Sequence, residues 1–239
     1  MRAFYVTGTD TGIGKTVVSV ALLHALRARG LAAVGMKPVA SGSELTPEGW
    51  RNDDALALQA ASRPSHSYDL HNPYALAEPT APELAARRAG VEVTMAPIRS
   101  AYAALSRGAD ICVVEGVGGW MAPLAAGLEQ STLARELRLP VVLVVGIRLG
   151  CLSHARLSER AIRADRRPML GWIGNVVDPQ FADAQDYKAL LQRDLSSPCL
   201  GWVPFDTAAS PEQRVRSLDL PADWPLLPAG GERPKRPIY

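Results

Sequence analysis

The glycine-rich segment near the N-terminus constrains the fold of this chain more than any other feature. Residues 2–7 form an apolar run typical of a buried strand, and the loop Gly8-Thr9-Asp10-Thr11-Gly12-Ile13-Gly14-Lys15-Thr16 follows directly. A strand, a glycine-rich loop ending in Gly-Lys-Thr and a helix form the layout of a phosphate-binding P-loop. In such a loop, backbone N–H groups surround an anion, the lysine adds a positive charge and the threonine offers a hydroxyl to Mg²⁺. Gly8 and Gly14 enclose five residues where the usual spacing has four, so this loop is one residue longer.

Length and composition predict one α/β domain over residues 1–220, followed by a Pro/Gly-rich C-terminal tail over 221–239. The net charge of +2 gives no reason to expect a nucleic-acid partner. The longest apolar stretch, 140–147, is too short to span a bilayer, so no membrane partner is expected. The three cysteines lie far apart without metal-ligand spacing, which fits a reducing, cytoplasmic location.

Apolar runs and helical stretches alternate along the chain. The strand candidates are 2–7, 32–37, 110–115, 140–146, 168–174 and 199–204. The helix candidates are 15–29, 53–61, 82–89, 95–107, 130–138, 153–165 and 183–194, and 62–82 is interpreted as a loop. This alternation predicts a doubly wound, mostly parallel sheet flanked by helices, as in P-loop NTPases. Functional residues are then expected just after the strands, because ligands bind at the carboxyl ends of parallel strands.

Charged residues stand at several of these predicted strand ends. Lys37 is one of only four lysines and follows the second strand, where it could neutralise a transferring phosphoryl group or be a solvated lysine. Glu115 ends an apolar strand before a glycine-rich turn, which suits a metal ligand near a terminal phosphate. Asp53 and Asp54 open a helix, where acidic residues complement the dipole, although a P-loop enzyme also needs a carboxylate for Mg²⁺.

Two later segments offer further ligand contacts. Residues 145–154 join a strand to a helix whose free N–H groups could bind a substrate carboxylate, although a plain capped helix is the alternative. Asn175 follows another strand, and its amide could recognise a purine edge or simply form a turn.

Together these segments resemble the dethiobiotin synthetase family, over about residues 3 to 212 and in the family's order. The matching segments lie at 6–16, 37–43, 52–58, 72–80, 115–120, 149–151 and 171–175. The family's P-loop is also the longer one. The resemblance implies ATP-dependent synthesis of dethiobiotin from 7,8-diaminopelargonate and CO₂ in biotin biosynthesis, with ATP as co-substrate, Mg²⁺ as cofactor and a homodimer as the active assembly.

The resemblance also implies roles for individual residues around the reacting groups. It assigns the phosphates to Gly12, Ile13, Gly14, Lys15, Thr16 and Val17. It assigns Mg²⁺ to Thr16, Asp54 and Glu115, and places Lys37 and Lys15 beside the transferring phosphoryl group, with Lys37 the stronger catalytic candidate.

Other residues are assigned to the ends of the two substrates. The nucleotide is expected to contact Glu115, Gly116, Val117 and Gly118, and its adenine to contact Asn175, Val203, Pro204, Phe205 and Glu212. The diamine or its carbamate is expected to contact Thr11 and Ser41. The substrate carboxylate is expected to bind across the dimer interface at Gly150, Cys151, Leu152, Ser153 and Tyr187.

Two other P-loop classes are alternatives. Partitioning and cell-division ATPases carry an extra lysine five positions before the main one, and Asp10 occupies that position here. Synthetases acting on cobyrinic acid usually carry a glutaminase domain, for which this length leaves no room.

Overall fold

Strands and helices alternate over residues 2–225, which the computed structural model describes. The strands are β1 (Arg2–Gly8), β2 (Ala33–Met36), β3 (Val39–Ser41), β4 (Glu44–Thr46), β5 (Gly49–Arg51), β6 (Tyr74–Leu76), β7 (Ile111–Gly119), β8 (Pro123–Ala125), β9 (Leu128–Glu129), β10 (Val141–Ile147), β11 (Met169–Val176) and β12 (Cys199–Val203). The helices are α1 (Lys15–Ala28), α2 (Asp53–Ala61), α3 (Tyr68–His71), α4 (Pro82–Ala89), α5 (Met95–Leu105), α6 (Gln130–Glu136), α7 (Cys151–Ala164), α8 (Ala184–Asp194) and α9 (Pro211–Val215).

The central sheet has six strands in the order β12-β11-β10-β1-β7-β2, and all neighbours are parallel. The predicted α/β class, with a parallel sheet flanked by helices, is therefore confirmed. The P-loop strand β1 lies between β10 and β7, so the segments that follow these strands meet at one edge of the sheet. This edge carries the predicted site.

Helices cover both faces of the sheet, which explains the continuous apolar runs in the sequence. Every residue of β10 is buried, as expected for a strand covered on both sides. One face packs Phe4 and Val6 against Leu22 of α1 and Leu58 of α2. The other face packs against α5, α6, α7 and α8. Each large apolar side chain buried in this way contributes about 1.5–3 kcal/mol to folding.

The structure contains short elements that the sequence did not predict. Helix α3 and strand β6 lie within 62–82, which was interpreted as a loop, because elements of three or four residues leave no periodic pattern. Strand β7 continues past Glu115 to Gly119, and its register against β1 shifts at this point. The backbone after Glu115 is therefore held by the sheet where a turn was expected.

The start of the predicted tail packs against the body of the protein. The guanidinium of Arg29 donates to the carbonyls of Leu220, Pro221 and Trp224 at 2.7, 2.9 and 3.1 Å. The Trp224 ring packs edge-on against Phe4, with the ring centroids 5.0 Å apart. The rest of the predicted tail, 226–239, lies outside the described residues, and the division at residue 220 stays a prediction. Among residues 2–225, no helix has the length and apolar character needed to cross a membrane.

Candidate active site

The P-loop is shaped by glycine and held by an asparagine from β11. Gly14 precedes α1 with φ of 77°, and a Cβ atom there would lie 2.2 Å from the side-chain nitrogen of Asn175. That nitrogen donates to the carbonyl of Ile13 at 2.9 Å. Asn175 therefore fixes the loop conformation, a role that its strand-end position alone did not reveal.

Lys37 lies between two carboxylates at the centre of the site. Its ammonium is 2.6 Å from Glu115 Oε1 and 2.8 Å from Asp54 Oδ2. The hydroxyl of Thr16 donates to the same Glu115 oxygen at 2.8 Å. Lys37 is 2% exposed and Glu115 is fully buried, so these charges interact with little screening by water. The structure thus brings the lysine after β2, the first turn of α2, the end of the P-loop and β7 into one cluster.

The charges in this cluster determine its protonation state. Burial, the largest single influence, acts to lower the pKa of Lys37, but Glu115 and Asp54 together raise that pKa above its ordinary value. Burial likewise acts to raise the pKa of Asp54, but the Lys37 ammonium, together with the Thr16 hydroxyl and the charge of Lys15, outweighs it and lowers the pKa of Asp54. Lys37 is therefore a cation and Asp54 an anion at neutral pH.

Lys15 lies on the P-loop side of the cluster. Its ammonium donates to the carbonyl of Asp10 at 2.9 Å, across the curve of the loop. Burial, followed by the positive charge of Lys37, lowers the pKa of Lys15 to about 8. An anionic phosphate bound between the two lysines would favour their charged forms, so the site is suited electrostatically to a polyphosphate.

The residues present fit a magnesium ion. Glu115 Oε2 is buried and has no hydrogen-bond partner among the described residues, which leaves a carboxylate oxygen free for a ligand. Thr16, Asp54 and Glu115 would supply one hydroxyl and two carboxylates. Mg²⁺ typically binds one or two protein carboxylates and completes its shell with water and substrate phosphates. The donor set therefore fits a nucleotide-bound magnesium ion.

The geometry distinguishes the two adjacent aspartates, which the helix-start pattern alone did not and for which only the family resemblance favoured Asp54. Asp54 faces Lys37, whereas Asp53 is exposed. We expect Asp54→Asn to raise the Mg²⁺ concentration for half-maximal activity by about tenfold or more, because an amide keeps the shape of the carboxylate but carries no negative charge for the cation. Asp53→Asn is the matched control and should behave like the wild-type protein. Equal effects of the two substitutions in a magnesium titration of activity would contradict this assignment.

A cleft of about 220 Å³ lies beside the P-loop. Its lining includes Asn175, Val203, Pro204 and Phe205, together with the unpredicted Arg214. Glu212 is not part of this lining. Its carboxylate instead pairs with the His24 ring at 3.2 Å and accepts from the Ser210 hydroxyl at 2.9 Å.

The two predicted diamine contacts come from different segments, Thr11 from the P-loop and Ser41 from the end of β3. The Thr11 hydroxyl oxygen is 3.6 Å from where a Cβ on Gly118 would lie, which places this part of the P-loop against the end of β7. Ser41 ends β3, and its carbonyl accepts a hydrogen bond from the Asn52 side chain at 3.4 Å.

Gly116, one of the predicted nucleotide contacts, is required by packing, since a Cβ there would lie 2.4 Å from the Tyr5 hydroxyl.

Four of the five residues assigned to the substrate carboxylate, 150–153, form the start of α7. Gly150 is the N-cap with φ of 92°, and no side chain caps this helix. Cys151 is buried, Leu152 is partly buried and Ser153 is exposed. Tyr187 lies on α8, where its ring packs edge-on against Phe181. An ion pair between Arg148 and Asp10 connects this segment to the P-loop.

The structure also shows a cluster of three buried polar side chains next to Lys37 that the sequence analysis did not identify as part of the site. It consists of Asn52, Tyr68 and Asn72, which are joined by hydrogen bonds. Asn52 and Asn72 stand in segments that carried the family resemblance, which is the only signal that pointed to them. Tyr68 lies in the predicted loop and gave no signal.

The parallel sheet and the P-loop that follows its strand β1 define a P-loop NTPase fold, and Lys37 with its two carboxylates lies beside that loop. Comparison with solved structures supports this fold, and at the low sequence identities involved it shows nothing beyond the fold. A ParA family ATPase from Chlorobium tepidum TLS superposes with a TM-score of 0.55 at 12% identity, over 91% of this chain and 90% of that one. The MinC:MinD cell division complex of Aquifex aeolicus gives 0.55 at 12% identity, over 92% and 87%.

Sequence comparison identifies the family. The AAA_26 family profile, described as an AAA domain, matches residues 2–213. The chain is 58% identical to the ATP-dependent dethiobiotin synthetase BioD of Xanthomonas oryzae pv. oryzae strain PXO99A, over 92% of this chain and 98% of the relative. It is 59% identical to the enzyme of that name from Xylella fastidiosa strain 9a5c, over 85% and 90%. The chain therefore belongs to the family of ATP-dependent dethiobiotin synthetases.

Proposed function

We propose that the protein is a ligase that makes dethiobiotin from 7,8-diaminopelargonate, CO₂ and ATP, releasing ADP and phosphate. The observation that carries this proposal is the cluster of Lys37, Asp54, Glu115 and Thr16 beside the P-loop lysine. The charges of this cluster suit a nucleotide's terminal phosphate. The chain is also 58% identical to a named dethiobiotin synthetase. Among the described residues, the site has charged side chains that can neutralise and orient substrates, and it has no activated nucleophile. This suits a reaction in which two bound substrates react directly with each other.

The proposed reaction has three steps. One amine of the diamine captures CO₂ and loses a proton, which gives a carbamate. A carbamate oxygen attacks the γ-phosphorus of ATP, and the bond from that phosphorus to the bridging β-phosphate oxygen breaks. ADP leaves, and the carbamate with its new phosphoryl group is a carbamic–phosphoric anhydride. The second amine then attacks the activated carbon, phosphate leaves, and loss of a proton completes the cyclic urea.

The main task of the site's side chains would be to neutralise the negative charge on the carbamate and the phosphates. Lys37 and Lys15 would lie against the negative oxygens that carbamate and γ-phosphate bring together, lowering their repulsion as the new P–O bond forms. Thr16, Asp54 and Glu115 would hold Mg²⁺, which supplies further neutralisation of the phosphates when bound. The P-loop N–H groups would hold the β-phosphate and keep the attack in line.

We propose a homodimer that uses the exposed face of α7. Leu157 on α7 is 59% exposed, and Leu149, two residues before this helix, is 80% exposed. Large apolar side chains exposed in this way favour a protein contact. The family resemblance assigns the substrate carboxylate to the start of this helix, so a dimer here would complete the diamine site.

Leu157→Arg is expected to convert the dimer to a monomer and to raise the KM for the diamine, because a buried arginine without a partner disfavours the interface. The measurement is light scattering coupled to size exclusion, followed by kinetics. Leu45→Arg is the control, since Leu45 is 70% exposed on the β4–β5 hairpin. A monomeric wild-type protein, or a Leu157→Arg variant that remains dimeric, would contradict the proposed interface.

Incubation of the purified protein with ATP, Mg²⁺, ¹³C-bicarbonate and 7,8-diaminopelargonate tests the function. We expect dethiobiotin that carries the label in its urea carbon, detected by mass spectrometry, with ADP released in equal amount. With ¹⁸O-bicarbonate, one labelled oxygen should appear in the released phosphate, because the carbamate oxygen remains on phosphorus. ADP release that is independent of the diamine, without labelled dethiobiotin, would favour an ATPase role and overturn the proposal.

A further inference from the structure

Lys37 must be held at both its main chain and its ammonium if it is to act as proposed. It follows the last residue of β2, and its main-chain contacts come from the end of α3. Its N–H donates to the carbonyl of His71 at 2.7 Å, and its carbonyl accepts from the side-chain nitrogen of Asn72 at 2.6 Å. The position of Lys37 thus depends on the orientation of the Asn72 amide.

Asp54, which faces the Lys37 ammonium, is held by the start of α2. Asn52 caps this helix by accepting from the N–H of Ala55 at 3.4 Å. The Asn52 N–H lies before the first helical turn and finds its acceptor outside the helix, in the hydroxyl of Tyr68 at 2.8 Å. The angle at which α2 presents Asp54 therefore depends on Tyr68.

A single hydroxyl connects these two supports. The Tyr68 hydroxyl accepts from the Asn52 N–H and donates to the Asn72 side-chain oxygen at 2.9 Å. Tyr68 is 7% exposed, so water cannot easily replace either bond. Burial raises the pKa of Tyr68, so the hydroxyl keeps the proton that it donates.

We infer that Tyr68 is a positioning residue for the proposed reaction: its hydroxyl holds Lys37, through Asn72, and Asp54, through Asn52, in register with each other. This inference rests on the proposed function. Tyr68 touches neither substrate nor metal in this scheme. It closes a ring of contacts that runs from the Lys37 carbonyl through Asn72, Tyr68 and Asn52 to α2, and from Asp54 back to the Lys37 ammonium. Without the hydroxyl, Asn72 and Asn52 would seek other partners, and the lysine and the metal-binding carboxylate would move independently.

The protein offers a matched pair of tyrosines for the test. Tyr74 is 9% exposed, and its hydroxyl accepts the N–H of Thr94 at 3.1 Å, just as that of Tyr68 accepts the N–H of Asn52. Tyr68→Phe and Tyr74→Phe therefore remove the same group from similar surroundings and should lower thermal stability to a similar extent. The hydroxyl of Tyr74 has no bond to Lys37, Asn72 or α2 among the described residues.

We expect Tyr68→Phe to lower kcat by about tenfold or more, since small displacements of reacting groups cost up to about a hundredfold in rate. The KM for ATP should stay within about twofold, because the P-loop is untouched. Binding of Mn²⁺ to the ADP complex, followed by electron paramagnetic resonance, should weaken by about threefold or more as Asp54 loses its fixed position. Tyr74→Phe should change none of these three quantities.

Equal kcat and equal Mn²⁺ affinity for the two Phe variants would overturn the inference. If Tyr68→Phe fails to fold, Asn72→Ala breaks the same link at its next member and must give the same loss of kcat. Where both variants fold, the double variant should be no slower than the slower single variant, because both remove one connection; additive losses would contradict it. Absence of dethiobiotin from the wild-type reaction would refute the proposed function instead, and the Mn²⁺ comparison would still decide the role of Tyr68.

Discussion

Replacement of Lys37 by alanine is expected to lower kcat by about a thousandfold. The structure places this ammonium against Glu115 and Asp54, the two carboxylates proposed to hold the metal. Removal of one charged group from a site of developing charge costs about 10²–10³ in rate. The reaction proposed here brings two anions together, which adds to that loss. The measurement is dethiobiotin formation under saturating substrates.

The same substitution should also lower stability in the absence of ligands. Glu115 would remain fully buried without its cation, and breaking a buried ion pair from one side costs about 3–5 kcal/mol. Mg²⁺ with ADP should recover much of this loss, because the metal would take the place of the lysine charge beside Glu115. Thermal unfolding with and without Mg²⁺–ADP checks this expectation.

The Lys37→Arg variant distinguishes the contribution of the positive charge from that of the exact position of the lysine nitrogen. The guanidinium keeps the positive charge, so the unfolding free energy should lie closer to that of the wild-type protein. Its planar, forked donors do not reproduce a single nitrogen 2.6 and 2.8 Å from two carboxylates, so turnover should stay low. Turnover within about tenfold of wild type for Lys37→Ala would refute the role given to this lysine.

The parts of the site that the sequence predicted are those determined by local patterns. The P-loop, Lys37 and Glu115 each stand at the end of an apolar strand, and the parallel sheet brings such ends together whatever the rest of the chain does. All six strands of the central sheet were predicted, because each is an apolar run that is visible in the sequence. The roles of the individual site residues remain predictions, although the structure brings Lys15, Thr16, Lys37, Asp54 and Glu115 into contact or close proximity.

The parts that were not predicted depend on contacts between distant segments. Tyr68 meets Asn52 across 16 positions, and Asn72 meets Lys37 across 35 positions. Helix α3, which carries Tyr68, has only four residues, too few for a period to show. Local pattern also does not choose between Asp53 and Asp54, because both residues suit a helix start equally and their directions depend on the rotation of the first turn of α2. Only the family resemblance favoured Asp54.

Glu115→Gln is expected to abolish most metal-dependent activity while leaving the shape of the site unchanged. The amide has the size of the carboxylate, and its oxygen can still accept from Thr16 and Lys37. The other oxygen, which is buried without a partner among the described residues, becomes an NH₂ group that repels a cation. We expect kcat to fall by about 10²–10³ and Mn²⁺ binding to the ADP complex to weaken by about tenfold or more.

Glu159→Gln is the matched control for this substitution. Glu159 is also buried, and its carboxylate accepts the N–H groups of Ser196 and Ser197 at 3.0 and 2.9 Å, at a distance from the P-loop edge of the sheet. Its replacement should lower the unfolding temperature, since an NH₂ group would face a backbone donor, but should leave kcat and Mn²⁺ affinity unchanged. A Glu115→Gln variant that behaves in the same way, less stable but with full metal affinity, would show that the buried carboxylate serves only as the counter-charge of Lys37. The metal would then have to be held by Thr16 and Asp54 without it.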